Sequence, residues 1–265
     1  MKPANAALIK DCLHASTGRI SDLFLPPVKK YAILSAGRSG SNLLVSLIKS
    51  IPKTRQHGEI IGEYQLQSAA VRRRITGAGA QSYLERRLSR MSNEDIVGVK
   101  LLYRHLESDY GEKFGISDTS GVLPYLRAAE DIRLIHLRRK DKLAVLISTR
   151  LAYESGEWVG GSYGDRTLKL PVDWVRDRFE WLESWEARIA EAFPPSRLLQ
   201  MTYEDLVAQK EAEMQRLCAF LDVPPAPFHS KMSKQNKRPK SEVVKNFAEL
   251  KNAFAGTRYA PLFEE

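Results

Sequence analysis

The chain has 265 residues, of which 43% are hydrophobic and 28% charged, and this composition fits a soluble globular protein with a substantial core. No apolar run approaches the 18 residues of a membrane-spanning helix, residues 1–10 lack the pattern of a secretory signal, and the two cysteines form no pairing pattern, so we expect a cytoplasmic protein. The net charge of +9 favours a polyanionic partner, namely nucleic acid, an anionic membrane surface contacted peripherally, or a phosphate-rich cofactor.

Four strand-like segments occur along the chain, and three of them lie directly before helical patterns. The strands are predicted at Tyr31–Ser35, Ile96–Tyr103, Ile132–Leu137 and Arg197–Met201. The helices after the first, third and fourth strands are predicted at Asn42–Ser50, Asp141–Tyr153 and Tyr203–Leu221. Strands that alternate with helices form a central parallel sheet flanked by helices. We therefore expect an α/β fold in a single domain over residues 1–265, with a core from about residue 29 and an N-terminal extension at 1–28.

Three further segments complete the predicted organisation. Tyr64–Met91 is predicted to form one or two helices, interrupted at Gly77 and Gly79. Val172–Phe193 carries aromatic residues at helical spacing, which we interpret as core packing. Glu154–Leu170 contains four glycines and is predicted to be a mobile loop that acts as a lid.

The stretch Leu34–Leu44 (LSAGRSGSNLL) joins the first predicted strand to the first predicted helix. Unpaired backbone N–H groups at a helix N-terminus bind anions, and Gly37 and Gly40 permit close approach of a phosphate. Arg38 adds a positive charge. Further polar donors follow in the loop at Ser39, Ser41 and Asn42. The loop lacks the Gly-Lys-Ser/Thr sequence of nucleoside triphosphatases, which disfavours a magnesium-dependent kinase.

This loop resembles the 5′-phosphosulfate loop of sulfotransferases that use 3′-phosphoadenosine 5′-phosphosulfate (PAPS). In that family an arginine at a strand end and a serine on the next helix grip the 3′-phosphate. The stretch LIHLRRKDKLAVLISTR supplies Arg139 and, nine positions later, Ser148, with Arg138 as the alternative arginine. The stretches HGEIIGEY, GVKLLY, YEDL and the C-terminal tail are also similar to the bacterial carbohydrate branch, which includes Nod-factor and trehalose sulfotransferases.

The resemblance implies a P-loop-like sulfotransferase fold, PAPS as the sulfuryl donor, 3′-phosphoadenosine 5′-phosphate (PAP) as product, and no metal. The cofactor-binding residues that it implies are Arg38, Ser39, Gly40, Ser41, Asn42, Leu43, Arg139, Ser148, Tyr203, Lys237 and Arg238. Arg38 is also expected to be catalytic, because it would neutralise the bridging oxygen as the sulfuryl group leaves. The implied acceptor is a carbohydrate or glycolipid, and no nucleic acid is expected. Neither the acceptor's identity nor the oligomeric state follows from the sequence.

Sulfuryl transfer to a hydroxyl needs a base that accepts its proton. The bacterial branch implies Glu59 as this base, whereas the histidine of animal members corresponds to His105; Lys100 is a candidate contact for the acceptor or the transferred group. Two other functions stay open, a metal-dependent phosphotransferase and a non-catalytic nucleic-acid-binding protein. The second is disfavoured because the basic clusters Arg133–Lys142 and Lys231–Lys245 contain no aromatic residue.

Overall fold

The structure is a computed structural model in which residues 25–116, 121–158, 163–230, 232 and 238–264 are described. Its strands are β1 Lys29–Ser35, β2 Thr54–Glu59, β3 Ile96–Leu102, β4 Ile132–Arg138 and β5 Leu198–Thr202. They form one sheet in the order β2-β3-β1-β4-β5, and every neighbouring pair is parallel. The prediction of an α/β fold with a central parallel sheet is confirmed.

Helices alternate with these strands along the chain. They are α1 Ser41–Ile48, α2 Glu63–Leu66, α3 Ala69–Arg87, α4 Val122–Ala128, α5 Lys142–Ser155, α6 Val172–Ala192, α7 Tyr203–Ala208, α8 Lys210–Leu221, α9 Lys240–Val243 and α10 Phe247–Ala253. Short 3₁₀ helices lie at Tyr103–Leu106, Glu112–Phe114 and Ala260–Phe263. In the part of the chain that the structure describes, no helix is both long and apolar enough to cross a membrane.

The sheet is buried on both faces. Ala32 and Leu34 of β1 belong to a large core with α3, α5 and α6, while Tyr31 and Ile33, which point the other way, belong to a smaller core with α1 and α8. A strand covered on both faces has a nearly continuous apolar sequence, which is why β1 was visible in the sequence. The aromatic stripe of α6 packs into the large core, as predicted.

The sequence reading missed β2, a strand without a single large apolar residue (TRQHGE). It is the edge strand beside β3, and its register shifts between Gln56 and Glu59, so a bulge with Gly58 at φ 68° precedes its last residue. Beyond the bulge, Glu59 pairs with Lys100 of β3. The bulge therefore fixes the position at which the Glu59 side chain leaves the sheet.

Three predicted boundaries are wrong in detail. The helix expected over Tyr203–Leu221 breaks at Gln209, whose ψ of 47° is not helical, and becomes α7 and α8. In α3 the break occurs at Gly79 (φ 79°, ψ 153°), whereas Gly77 stays helical. The predicted loop begins at Gly156, because residues 154 and 155 still belong to α5.

The second half of that loop is anchored to the protein. Tyr163, Leu168 and Leu170 are buried, and the Leu168 N–H donates to the carbonyl of Val243 at 2.9 Å. The described residues 156–158 are exposed. Whether the loop acts as a lid stays a prediction, since residues 159–162 lie outside the described part.

A buried tyrosine–histidine pair joins the ends of β3 and β4. The Tyr103 hydroxyl lies 2.7 Å from Nε2 of His136, and both side chains are almost wholly buried. Burial, together with the nearby charge of Arg138, lowers the pKa of His136 to about 3. The folded protein therefore keeps His136 neutral at pH values where an unfolded histidine is protonated.

We predict that this pair makes the fold acid-sensitive. The unfolded chain takes up the proton at its ordinary pKa, about 6.5, so stability falls as pH drops from about 6.5 towards 3. Between pH 7 and pH 4.5 the contribution of His136 changes by about 2.5 kcal/mol. Urea unfolding at both pH values measures it: the loss of stability should be smaller in His136→Phe than in the parent.

The exposed His229 provides the control, and His229→Gln should keep the full acid sensitivity. An unchanged pH dependence in His136→Phe would contradict the assignment.

Candidate active site

The turn between β1 and α1 has the geometry of an anion-binding loop. Arg38 has a left-handed φ of 64°, which costs a non-glycine residue about 1–2 kcal/mol, and Gly40, the N-cap of α1, has φ 85°. Because Gly40 has no side chain, no side-chain oxygen of the N-cap covers the first-turn N–H groups of α1. These donors, next to the positive end of the helix dipole, suit an anion.

Tyr203 and Arg139 close one side of this loop. A Cβ on Gly40 would lie 2.3 Å from Cδ2 of Tyr203, so only glycine permits this packing. The guanidinium carbon of Arg139 lies 4.7 Å from the centroid of the Tyr203 ring, and its Nη1 donates to the Arg38 carbonyl at 3.2 Å. The structure thus brings together loop, arginine and tyrosine from the ends of β1, β4 and β5.

The two neighbouring arginines point to different places. Arg138 shares a face of β4 with Leu134 and His136, and Leu134 packs into the large core that α6 covers, so Arg138 lies on the α6 side of the sheet. There its charge offsets part of the rise that burial causes in the pKa of Glu186. Arg139 faces the loop instead. Of the two alternatives that the sequence left open, Arg139 is the residue beside the anion loop.

Glu204 anchors the turn that carries Arg139, a role that sequence reasoning missed. Its carboxylate accepts the backbone N–H groups of Lys140 at 3.0 Å and Asp141 at 3.3 Å. The neighbouring Asp205 forms an ion pair with the side chain of Lys140 at 2.9 Å. The signal was present in YEDL, whose two acidic residues stand beside the tyrosine.

The Arg38 side chain links the loop to α5 and to the segment after it. Nε donates to the Ser148 hydroxyl at 2.9 Å, Nη1 to the Trp158 carbonyl at 2.6 Å, and Nη2 to the Tyr163 hydroxyl at 2.9 Å. The pKa of Arg38 is lowered from its ordinary value, mainly by burial and also by the charge of Arg139, while Tyr163 acts in the opposite direction. Trp158 and Tyr163 were not predicted, because only the folded loop brings them to the arginine.

Lys100 forms the second centre of the site. Its ammonium group is buried, donates to Oδ1 of Asn42 at 2.6 Å and pairs with Oε1 of Glu59 at 2.8 Å. Nε2 of His105 lies 3.9 Å from Oε2 of Glu59. Both candidate bases therefore lie together, next to the N-terminus of α1.

The hydrogen bond to His105 defines its neutral tautomer. The backbone N–H of Leu102 donates to Nδ1 at 3.2 Å, so the Nδ1 lone pair is occupied. In the neutral ring the proton then sits on Nε2, the nitrogen that faces Glu59. At this position His105 presents a donor rather than a base.

The remaining predicted residues are placed as follows. Ser39 and Ser41 are buried in the loop, and Leu43 packs against the smaller core. Arg238 donates to the carbonyls of Gly164, Arg166 and Glu242, which ties the tail to the loop after α5. Lys237 lies outside the described residues.

Comparison with known proteins establishes the family. A family model described as "Sulfotransferase family" matches residues 32–227, about three quarters of the chain. The chain belongs to the sulfotransferase family. It is 26% identical over 246 residues to Nodulation protein H of Rhizobium tropici, covering 91% of this chain and 95% of that protein. The predictions of a sulfotransferase and of sulfuryl transfer as its reaction are thereby confirmed.

Two solved structures also align with this sulfotransferase. The sulfotransferase from Alicyclobacillus acidocaldarius has a TM-score of 0.48 at 11% identity, covering 91% of this chain and 98% of that one. Mouse sulfotransferase SULT7A1 complexed with PAP has a TM-score of 0.41 at 14% identity, covering 96% and 78%. Among the described residues of this chain, no group of three or more His, Cys, Asp or Glu side chains is arranged to hold a metal ion.

The packing of Tyr203 on Gly40 generates a prediction. Gly40→Ala must strain a left-handed backbone and also displace the tyrosine ring, so we expect it to destabilise the protein by at least about 2 kcal/mol and to weaken PAP binding. Gly256 has a similar φ of 72° with nothing near its Cβ position, and Gly256→Ala isolates the backbone strain. Urea unfolding and PAP titration measure both variants. Equal behaviour of the two would show that the Tyr203 contact is unimportant.

Proposed function

We propose that this sulfotransferase transfers the sulfuryl group of PAPS to a hydroxyl group of a carbohydrate or glycolipid. The observation that carries the donor assignment is the pair of arginines at the uncapped N-terminus of α1. The Arg139 side chain contacts the Arg38 carbonyl, and its charge lowers the pKa of the partly buried Arg38 guanidinium. Two like charges held this close favour an anion that neutralises both. A doubly phosphorylated nucleotide supplies such an anion.

The residues present fit the two phosphate ends of the donor. The first-turn N–H groups of α1 suit the 5′-phosphosulfate, as at other helix N-termini that bind phosphate. Arg139, whose guanidinium lies over the Tyr203 ring and donates from Nη1 to the Arg38 carbonyl, is the proposed contact of the 3′-phosphate, together with Ser148 on α5, which accepts from Arg38. Lys237 and Arg238 stay predicted contacts of the donor.

Glu59 is the proposed base. PAPS supplies the sulfuryl group, whose bond to the acceptor oxygen replaces its bond to the 5′-phosphate oxygen, with PAP as the product. As that bond forms, a carboxylate oxygen of Glu59 takes the hydroxyl proton. Lys100 orients the carboxylate through the 2.8 Å ion pair, and Nδ1 of His105 is occupied by the Leu102 N–H. Arg38 neutralises the oxygen from which the sulfuryl group departs.

The acceptor class rests on the resemblance to the bacterial carbohydrate branch, which extends over the stretch with Glu59 and over the C-terminal tail. The similarity to Nodulation protein H covers nearly the whole length of both chains and supports the same class of acceptor. A cytoplasmic location is part of the proposal, since Cys218 is buried as a free thiol.

Transfer of ³⁵S-labelled sulfate tests the reaction. The purified protein is incubated with labelled PAPS, EDTA and a panel of pyranose oligosaccharides and glycolipids. We expect the label to move to at least one acceptor with no added metal. Phosphate transfer from ATP that needs magnesium, without sulfate transfer from PAPS, would contradict the proposal.

Nucleotide binding tests the donor site separately. Arg139→Ala should weaken PAP binding by about 2–3 kcal/mol, the scale of charge-assisted hydrogen bonds, and should hardly change the binding of adenosine 5′-phosphate, which lacks the 3′-phosphate. Lys140→Ala is the matched control. It also removes one positive charge, at the next residue, but the Lys140 side chain pairs with Asp205 and not with the anion loop. Calorimetric titration of both nucleotides measures these effects. Equal losses for the two nucleotides would show that Arg139 does not bind the 3′-phosphate.

A further inference from the structure

Two large aromatic side chains are exposed next to each other at the end of α5. Tyr153 is 60% exposed and Trp158 is 43% exposed. Their ring centroids are 4.8 Å apart and their planes meet at 84°, so the rings form an edge-to-face pair. Exposed apolar surface of this kind commonly marks a binding site. We call these two residues the aromatic pair.

The backbone of Trp158 joins the aromatic pair to Arg38. The Trp158 carbonyl accepts from Nη1 of Arg38 at 2.6 Å, so the backbone of Trp158 lies against the arginine of the anion loop. This contact uses the carbonyl alone. The side chain of Trp158 is therefore left to bind something else, and its substitution does not remove the contact with Arg38.

The other member of the pair lies on α5, the helix whose Ser148 accepts a hydrogen bond from Nε of Arg38. Nearer the proposed base, the Tyr110 ring is 5.0 Å from the ring of His105, which in turn faces Glu59. Burial raises the pKa of Tyr110, and the charges of Glu63, Glu59 and Tyr153 raise it further. Both members of the aromatic pair therefore adjoin the helix and the segment that Arg38 contacts.

These contacts describe a rim around the place between Arg38 and Glu59. On one side Arg38 contacts the backbone of Trp158, and Tyr110 stands with His105 beside Glu59. The other side runs from the anion loop through Asn42 and Lys100 to Glu59. An acceptor hydroxyl between donor and base lies within these contacts, and the aromatic pair is exposed apolar surface beside Arg38 that the rest of the acceptor can reach.

We propose that Tyr153 and Trp158 form a stacking platform for a pyranose ring of the acceptor, an inference that rests on the proposed sulfuryl transfer. The C–H groups of a pyranose carry partial positive charge and pack on the negative face of an aromatic ring. Its hydroxyls need polar partners at the ring edge, and the exposed carboxylates of Glu154 and Glu157 stand between and beside the two aromatic residues in the sequence. Glu154 also pairs with Arg150 at 3.6 Å, so charged groups border the aromatic pair, and such a border suits the hydroxyls of a sugar better than a lipid tail.

Calorimetry with chitotetraose, cellotetraose and maltotetraose as probes tests the platform. Each sugar is titrated into the full chain with and without saturating PAP. We expect at least one to bind, Trp158→Ala to weaken that binding about tenfold or more, and Trp158→Phe, which keeps a ring, to weaken it less than about threefold. Trp174→Phe is the control, since Trp174 packs against the large core, and should leave sugar binding unchanged.

The outcomes separate this proposal from the donor proposal. PAP affinity should be the same in all three variants, because the Trp158 carbonyl is retained. Failure of all three sugars to bind, or unchanged binding to Trp158→Ala, overturns the platform even where PAP binds normally. Binding of the phenolic probe 2-naphthol that depends on Trp158, in the absence of sugar binding, also overturns it and assigns an aromatic acceptor. Loss of PAP binding with sugar binding intact contradicts the donor proposal alone.

Discussion

The buried ammonium group of Lys100 joins the two halves of the site. A buried charge needs partners, and Lys100 has Asn42, at the start of α1, on one side and Glu59, at the end of β2, on the other. Since β3 lies between β1 and β2 in the sheet, only its last residues can reach both. The anion loop and the proposed base are held at a fixed separation by this one side chain.

The parallel sheet brings the other residues to the same edge. Because all five strands run in one direction, the segments that follow them meet at their carboxyl ends, where ligands bind in open α/β sheets. Arg38 follows β1, Arg139 follows β4 and Tyr203 follows β5. The contacts among these three residues then depend on topology and not on their distance in sequence.

The sequence predicted the parts of the fold in which local pattern and burial agree. The apolar runs of β1 and β4 and the anion loop could be found from residue types and spacing, whereas Arg139 was implied by the family resemblance, with Arg138 as the alternative. The edge strand β2 could not, because its polar sequence carries no strand pattern and its place depends on pairing with β3. The contacts of Arg38 with Trp158 and Tyr163 could not be predicted either, because they depend on how the segment after α5 folds back onto the anion loop.

The structure adds to the proposal of Glu59 as the base, which the family resemblance favours. A short 3₁₀ turn places Nδ1 of His105 against the Leu102 N–H, and this contact defines the tautomer of a neutral ring. The Glu59 carboxylate stays 30% exposed beside Lys100. Gly58, in the bulge before Glu59, adopts the left-handed φ of 68° through which the backbone enters Glu59.

The central claim is that Glu59 accepts the acceptor's proton, and the turnover of Glu59→Gln beside His105→Asn tests it most directly. The amide keeps the shape and an acceptor oxygen for Lys100 but is not a base, so PAP affinity should be nearly unchanged while turnover falls at least about a hundredfold. An asparagine at 105 can still accept from the Leu102 N–H, and that variant should keep most of its activity. An inactive His105→Asn beside a largely active Glu59→Gln would contradict the account and make His105 the base.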